Sequence, residues 1–288
     1  MSSRPFCSEI SRENDEPLGA TASRVDHWLL VEYRGLWSHD ALTGSGMSTE
    51  VKARLRSLVG ERRPAKIILI RRPDRRHHDG VHVYAAESLV GEERISHLEL
   101  GSHEDLLDAD PFAEGTPVEH PLFLVCTHGK HDRCCARHGR PLWEALSEQL
   151  DESWAWQASH IGGDRFAGNL VALPQGIYYG RVDRDDVPEL LDEHLAGRLP
   201  LAHYRGRSCW PFAVQAAERR VRAEEGLTGI DDVRLAESRR ENNRWHVALQ
   251  TSDGRRELEV IEELGDLTQL TCDAEAPRRP LRFVAMPR

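Results

Sequence analysis

The chain lacks any apolar run approaching the ~18 residues that a membrane-spanning helix needs, and its start, Met1 to Leu18, is polar with no signal-peptide centre. A cytoplasmic location without membrane contact is the resulting expectation. Basic residues are in deficit: 38 Lys and Arg against 48 Asp and Glu leave a net charge of −10. That balance argues against nucleic acid, because binding phosphates by counterion release needs a basic surface. Cysteine is sparse, six in 288 residues, and unevenly placed, which excludes a secreted disulfide scaffold. With 39% hydrophobic and 30% charged residues, the composition is that of an ordinary globular protein, long enough for two domains or for one with appendages.

What cysteine there is falls unequally. Cys7, Cys209 and Cys272 stand apart and read as ordinary buried thiols. Cys126, Cys134 and Cys135 cluster in one short loop, Cys126-Thr-His-Gly-Lys-His-Asp-Arg-Cys-Cys135. A second loop, His160-Ile-Gly-Gly-Asp164, is also rich in metal-ligand types. Each follows a short apolar run, Leu122 to Val125 and Trp154 to Ala158, that reads as a strand. Loops leaving the same end of neighbouring strands bring ligands around one centre. Thiolate at Cys126 and Cys135 suits a soft metal or an iron–sulfur cluster; imidazole at His160 suits iron or zinc, and carboxylate at Asp164 suits iron better than a closed zinc site. Gly162 and Gly163 leave room for close approach of backbone or an inorganic sulfide.

Taken in order, residues 1–20 read as a surface-draped lead-in. His27 to Tyr33 reads as a strand; Ser48 caps a helix with Val51, Leu55, Leu58 and Val59 on one face, ended at Gly60; and Ala65 to Ile70 reads as a central strand. The loop from Arg71 to Gly80, with His77, His78 and Asp79, reads as solvated surface. Strands at Val81 to Ala85 and Ile95 to Leu100 and a short helix from Glu104 follow, and Pro111, Gly115 and Pro117 mark a boundary near 115. The order then recurs: strand, cluster loop, a helix from Pro141 with Leu142, Leu146 and Leu150, a strand at Trp154 to Ala158, a hairpin around Pro174-Gln-Gly176, and a helix with Val187, Leu190, Leu191 and Leu195 before Gly197. The chain therefore reads as a duplicated unit of about 80 residues. Arg205 to Ser208 reads as a linker into a third segment, with a helix at Phe212 to Ala223 and strands at Val233 to Ala236, Arg244 to Thr251 and Glu257 to Ile261.

The stretch from Cys126 to Leu199 resembles the thioredoxin-like [2Fe–2S] ferredoxins, and more closely the sucrase/ferredoxin-like group. The resemblance rests on Cys-Thr-His-Gly-x-x-Asp-x-Cys-Cys at 126–135, on Ser159-His-Ile-Gly-Gly-Asp-Arg-Phe-Ala-Gly-Asn169, and on Leu173-Pro-Gln-Gly-Ile-Tyr-Tyr-Gly-Arg-Val182. It implies an α/β protein of duplicated thioredoxin-like (βαβββα) units with a small C-terminal α+β appendage, divided as 1–115 without ligands, 116–205 carrying the cluster, and 206–288. It implies a [2Fe–2S] cluster with one iron on Cys126 and Cys135, and with His160 and Asp164 where thioredoxin-like ferredoxins carry two cysteines. The departure at Asp164 leaves Cys134 and His128 as substitute ligands, with Gly162, Gly163 and Arg165 around the site. Imidazole in place of thiolate makes the cluster less negative, so its potential is expected above that of an all-cysteine site.

The reading that follows is a soluble electron carrier rather than an enzyme with its own substrate. Its partner is a reductase or acceptor protein, which an acidic face helps to steer if that partner is basic; a homodimer stays open. Two alternatives remain: a thiol-dependent oxidoreductase using Cys126 or Cys135 with His160 as base, and a structural zinc protein. Glycosidase (sucrase) activity is not expected, since no recognisable pair of catalytic carboxylates stands out.

Overall fold

A computed structural model describes residues 5–72 and 80–287. The chain opens with α1 (Cys7–Glu13), then β1 (His27–Glu32), α2 (Thr49–Gly60), β2 (Ala65–Arg71), β3 (Val81–Glu87), β4 (Arg94–Leu100), a 3₁₀ turn at Glu104–Leu107, α3 (Pro111–Glu114) and β5 (Thr116–Pro117). There follow β6 (Leu122–Cys126), α4 (Arg133–Ser147), β7 (Ala155–Ala158), β8 (Leu170–Leu173), β9 (Ile177–Tyr179), α5 (Val187–Leu195) and β10 (Tyr204–Arg207). The last segment holds α6 (Phe212–Glu225), β11 (Arg234–Glu241), β12 (Arg244–Thr251), β13 (Gly254–Leu264) and β14 (Leu281–Pro287). No helix among the described residues is long and apolar enough to cross a membrane.

The duplication is visible in the pairing. β1 and β2 are parallel, β3 pairs antiparallel on the far side of β1, and β4 closes a hairpin with β3. β6, β7, β8 and β9 repeat that arrangement. Each half is thus a thioredoxin-like unit, and the two meet edge to edge through an antiparallel contact of β2 with β7, Ile70 opposite Ala158 and Arg71 opposite Gln157. The product is one ten-stranded sheet in the order β10-β9-β8-β6-β7-β2-β1-β3-β4-β5. A separate four-stranded antiparallel sheet, β11 to β14, packs on α6.

Alternation along the strands builds two core layers. Trp28, Leu30, Ile68, Ile70, Leu124, Trp156 and Tyr178 share one layer that runs across both halves. On the opposite face Leu29, Val31 and Leu69 pack under α2, while Phe123, Val125 and Leu170 pack under α4 and α5. Ser48 caps α2, its hydroxyl accepting from the Val51 N–H at 3.3 Å.

Several sequence expectations are corrected. The lead-in is not draped over the surface: α1 buries Cys7, Ser8 and Ser11. The cluster loop is shorter than read, because the Asp132 carboxylate accepts from the Cys134 N–H at 2.8 Å and starts α4 there. Pro141 consequently lies inside α4 rather than at its start, and Leu150 lies beyond its end. The segment read as a linker, Arg205 to Ser208, is buried, and its first three residues belong to strand β10. Leu195 is half exposed at the end of α5, and β14 had no counterpart in the sequence reading. His77, His78 and Asp79 lie outside the described residues.

One buried base makes the fold acid-sensitive. His194 on α5 sits against Phe123 with its Nδ1 2.9 Å from the Tyr179 hydroxyl, and burial pushes its pKa down to about 4. Because the folded value lies below the unfolded ~6.5, the unfolded chain takes up the proton first on acidification. This contribution is complete above pH ~6.5 and is lost as pH falls toward 4, up to about 3 kcal/mol. His194→Gln is expected to flatten that limb of the urea-unfolding midpoint against pH; an unchanged profile would contradict the assignment.

Candidate metal centre

Parallel pairing places Cys126 beside Ala158, so the chain leaves β6 and β7 at the same sheet edge. Cys126 is the last residue of its strand, and Cys135 sits in the first turn of α4. Gly139 lets this helix approach: a Cβ there would lie 2.0 Å from the Cys126 carbonyl oxygen. The second loop turns through Gly162 and Gly163, with φ of 116° and 83°. A Cβ on Gly163 would meet Arg205 Nη2 at 2.3 Å, and one on Gly162 would meet Ser23 Oγ at 2.3 Å. The space these glycines leave is therefore filled by Arg205 and Ser23. Buried Arg205 donates to the Gly162 carbonyl (3.1 Å), Asn169 Oδ1 (2.9 Å), and the Thr21 carbonyl (2.7 Å) and hydroxyl (3.0 Å), tying the loop to the N-terminal segment.

Around this edge the ligand atoms of Cys126, Cys135 and His160 lie within 4.8 Å of one another, as do those of His131, His160 and Asp164. Cys135 Sγ donates to Asp164 Oδ1 at 3.2 Å, and His160 Nδ1 is 3.0 Å from the same oxygen. That nitrogen makes its ion contact with Asp164 without good hydrogen-bond geometry, so a metal taking its place would displace a proton and a poorly aimed contact. His131 stacks on His160 with ring centroids 3.8 Å apart and has its Nε2 3.8 Å from Asp164 Oδ2. Its Nδ1, 3.2 Å from the His39 carbonyl, carries the proton, so the Nε2 lone pair of the neutral ring faces a carboxylate. A cation between them would relieve that opposition. The sulfurs are buried, while the side chains of His160 and His131 are 25% and 24% exposed.

The electrostatics follow from this packing. A hydrogen bond from Cys135 holds the Cys126 thiol well below its ordinary pKa against the effect of burial, and His160 assists. The same hydrogen bond, with burial, raises Cys135. Burial works against a charged His160, but Asp164 and Cys126 overcome it and lift the imidazole to about 9. Burial likewise opposes ionisation of Asp164, and His160 outweighs it. Lys66, which the sequence reading did not single out, donates to the Ile161 carbonyl at 2.9 Å; burial pushes it down to about 8, opposed by the charges of Cys126 and Asp164.

Of the substitute ligands, His128 has both ring nitrogens engaged, Nε2 donating to the Ser38 carbonyl at 2.6 Å and Nδ1 accepting from the His160 N–H at 3.3 Å. Cys134 points elsewhere, with its sulfur 3.5 Å from Cys7 and 3.3 Å from Cys272. Arg165 pairs with Glu16 at 2.8 Å rather than with Asp164. The donor set at Cys126, Cys135, His160 and Asp164 fits a mixed-ligand iron–sulfur group: two buried sulfurs, an imidazole and a buried carboxylate.

The family model described as Sucrase/ferredoxin-like matches residues 18–206. The Altered inheritance of mitochondria protein 32 of Eremothecium gossypii is 31% identical over 112 residues, 34% of this chain and 36% of that protein. The protein of the same name from Meyerozyma guilliermondii is 30% identical over 103 residues, 32% and 36% of the two chains. The chain thus matches these curated relatives over about a third of their length. A thioredoxin-like [2Fe-2S] ferredoxin from Aquifex aeolicus, 22% identical, aligns over 33% of this chain and 97% of its own with a TM-score of 0.28. A second structure of that ferredoxin, the wild type, aligns at 22% identity over 30% and 97% with a TM-score of 0.26.

Two glycine substitutions separate backbone strain from collision. Gly197 also has positive φ, 75°, but nothing lies near its hypothetical Cβ. Gly197→Ala is expected to cost about 1 kcal/mol, and Gly163→Ala at least about 2 kcal/mol because Arg205 must also move. Equal costs in chemical unfolding would show that Arg205 is not the constraint.

Proposed function

The chain belongs to the sucrase/ferredoxin-like family, and on that premise we propose that it is a [2Fe–2S] electron-transfer protein whose cluster is held by Cys126, Cys135, His160 and Asp164. The observation that carries the reading is that Cys126 at the end of β6, Cys135 at the start of α4 and His160 in the loop after β7 bring their ligand atoms within 4.8 Å of one another, with Asp164 Oδ1 3.2 Å from Cys135 Sγ and 3.0 Å from His160 Nδ1. When bound, the group supplies a one-electron couple with thiolate on one iron and nitrogen and oxygen on the other.

The chain's own residues give this site a direction. Cys126 and Cys135 lie inside, and the partly exposed edges of His160 and His131 face out. A reductase or acceptor protein docks over the histidine edge. Half-buried Lys66 and buried Arg205 set positive charge near the thiolate and carboxylate. His128 and His131 are held by the Ser38 and His39 carbonyls of the other half, which makes residues 1–115 a ligand-free buttress for 116–205, with 206–288 appended. A cytoplasmic location belongs to this proposal; the name of the curated relatives, Altered inheritance of mitochondria protein 32, makes mitochondria the alternative, and fractionation of cells expressing the tagged chain separates the two.

A second reading has one observation in its favour: the lowered Cys126 thiol beside a raised His160 is the pairing a thiol-dependent oxidoreductase uses. Against it, Cys126 is only 2% exposed. Protein purified without oxygen is expected to be brown, with two irons and two acid-labile sulfides per chain; Cys126→Ala and Cys135→Ala should lose both, and His160→Cys should shift the spectrum. A colourless, sulfide-free protein that also resists reconstitution would sink the proposal. Rapid alkylation of Cys126 in that protein would then favour the thiol enzyme.

A further inference from the structure

Three cysteines outside this centre come together from distant parts of the chain. Cys7 lies in α1, Cys134 in the first turn of α4, and Cys272 in the connection from β13 to β14. Their sulfurs form a triangle with sides of 3.5 Å (Cys7–Cys134), 3.3 Å (Cys134–Cys272) and 3.7 Å (Cys7–Cys272). All three are at most 1% exposed. Asp132 completes the group, its two carboxylate oxygens 3.8 and 3.9 Å from Cys7 Sγ, and the four ligand atoms fall within 4.8 Å of one another.

Tetrahedral zinc with Zn–S bonds of ~2.3 Å sets its sulfurs ~3.8 Å apart, a few tenths of an ångström from the observed triangle. Ordinary core packing explains the group poorly. Among the described residues the only other members of its apolar cluster are Ala167 and Phe6, a small apolar contribution to holding these distant segments together. A carboxylate buried among three thiols is also costly without a cation. Asp132 accepts from the Cys134 N–H at 2.8 Å and from the Cys272 N–H at 2.6 Å. Each oxygen keeps a lone pair free, and the two N–H groups orient it as hydrogen bonds behind metal ligands do. The Ser8 hydroxyl donates to Cys134 Sγ at 3.2 Å in the same manner.

We propose that Cys7, Cys134, Cys272 and Asp132 form a structural zinc site, distinct from the Cys126–Cys135–His160–Asp164 centre, that staples α1 and the β13–β14 connection to the start of α4. The adjacent cysteines then serve different sites, Cys135 the iron–sulfur centre and Cys134 the zinc. This inference does not depend on the iron–sulfur reading.

The test is metal analysis of the full-length chain expressed with added zinc and purified without chelators. One zinc per chain bound at this site is expected, with a zinc K-edge absorption spectrum fitted by three sulfurs and one oxygen. Cys7→Ser and Cys272→Ser should each lower zinc by one equivalent and leave iron unchanged, whereas Cys126→Ala should lower iron and leave this zinc. Wild-type protein that takes up no zinc, zinc lost in Cys126→Ala but kept in Cys272→Ser, or mass spectrometry showing a disulfide within the trio would each overturn the proposal. If either serine variant fails to fold, zinc content and the wild-type K-edge spectrum decide by themselves.

Discussion

Parallel pairing of β6 with β7 is the constraint on which the rest depends. Two parallel strands joined through a helix must release their following loops at the same edge, so Cys126 and His160 become neighbours although 34 positions separate them in the chain. Everything else at that edge answers to the crowding this produces. Gly139 lets α4 close over the Cys126 carbonyl, and Gly163 admits a buried guanidinium where a side chain would collide. Arg205 satisfies the Gly162 carbonyl of the loop that carries the anionic groups and the Thr21 carbonyl of the N-terminal segment, which would otherwise be left dry.

The two halves share a topology but not a chemistry. β1 ends in Glu32 where β6 ends in Cys126, and Glu32 is neutralised locally by Arg34 at 3.0 Å and accepts a hydrogen bond from the His82 N–H at 3.1 Å. No thiol follows it in its loop. That loop instead supplies the Ser38 and His39 carbonyls to His128 and His131, and so fixes which nitrogen of each ring carries the proton. Joining the halves through β2 and β7 brings the loop after β1 to the one after β6. The ligand-free copy has become part of the wall of the other's site.

Charge is balanced by the same economy of placement. A low-pKa thiolate and a carboxylate share a small buried volume with His160, and Lys66 and Arg205 lie close by. Exchanging protons for metal at such a site removes N–H and S–H groups that hold the ligands in place without it, so loading and local order are linked. The N-terminal segment takes part through Thr21, Glu16 and Cys7, which is why its polar composition does not leave it loose.

By itself the sequence determined the strand and helix order of each repeated half (βαβββα), the Ser48 cap, the Pro174-Gln-Gly176 hairpin and the two ligand-rich stretches, because each is written in residues a few positions apart. Apolar alternation, a capping hydroxyl and turn-forming residues act over one or two turns of chain, and they act in the unfolded chain as well. Only the tertiary structure decided the partners. Arg205-Gly-Arg-Ser208 carries the composition of a linker, yet it is buried because the arginines find carbonyls and carboxylates from far away in the chain. Pro141 was misjudged for a related reason: the Asp132 cap that starts α4 is buried among thiols from both ends of the protein. Cys7 and Cys272 looked like isolated thiols, and the 265 positions between them leave no trace in any local pattern. Local signals fix where the chain turns, whereas the placement of charge and sulfur is settled by desolvation, which begins only once the halves and both termini have packed.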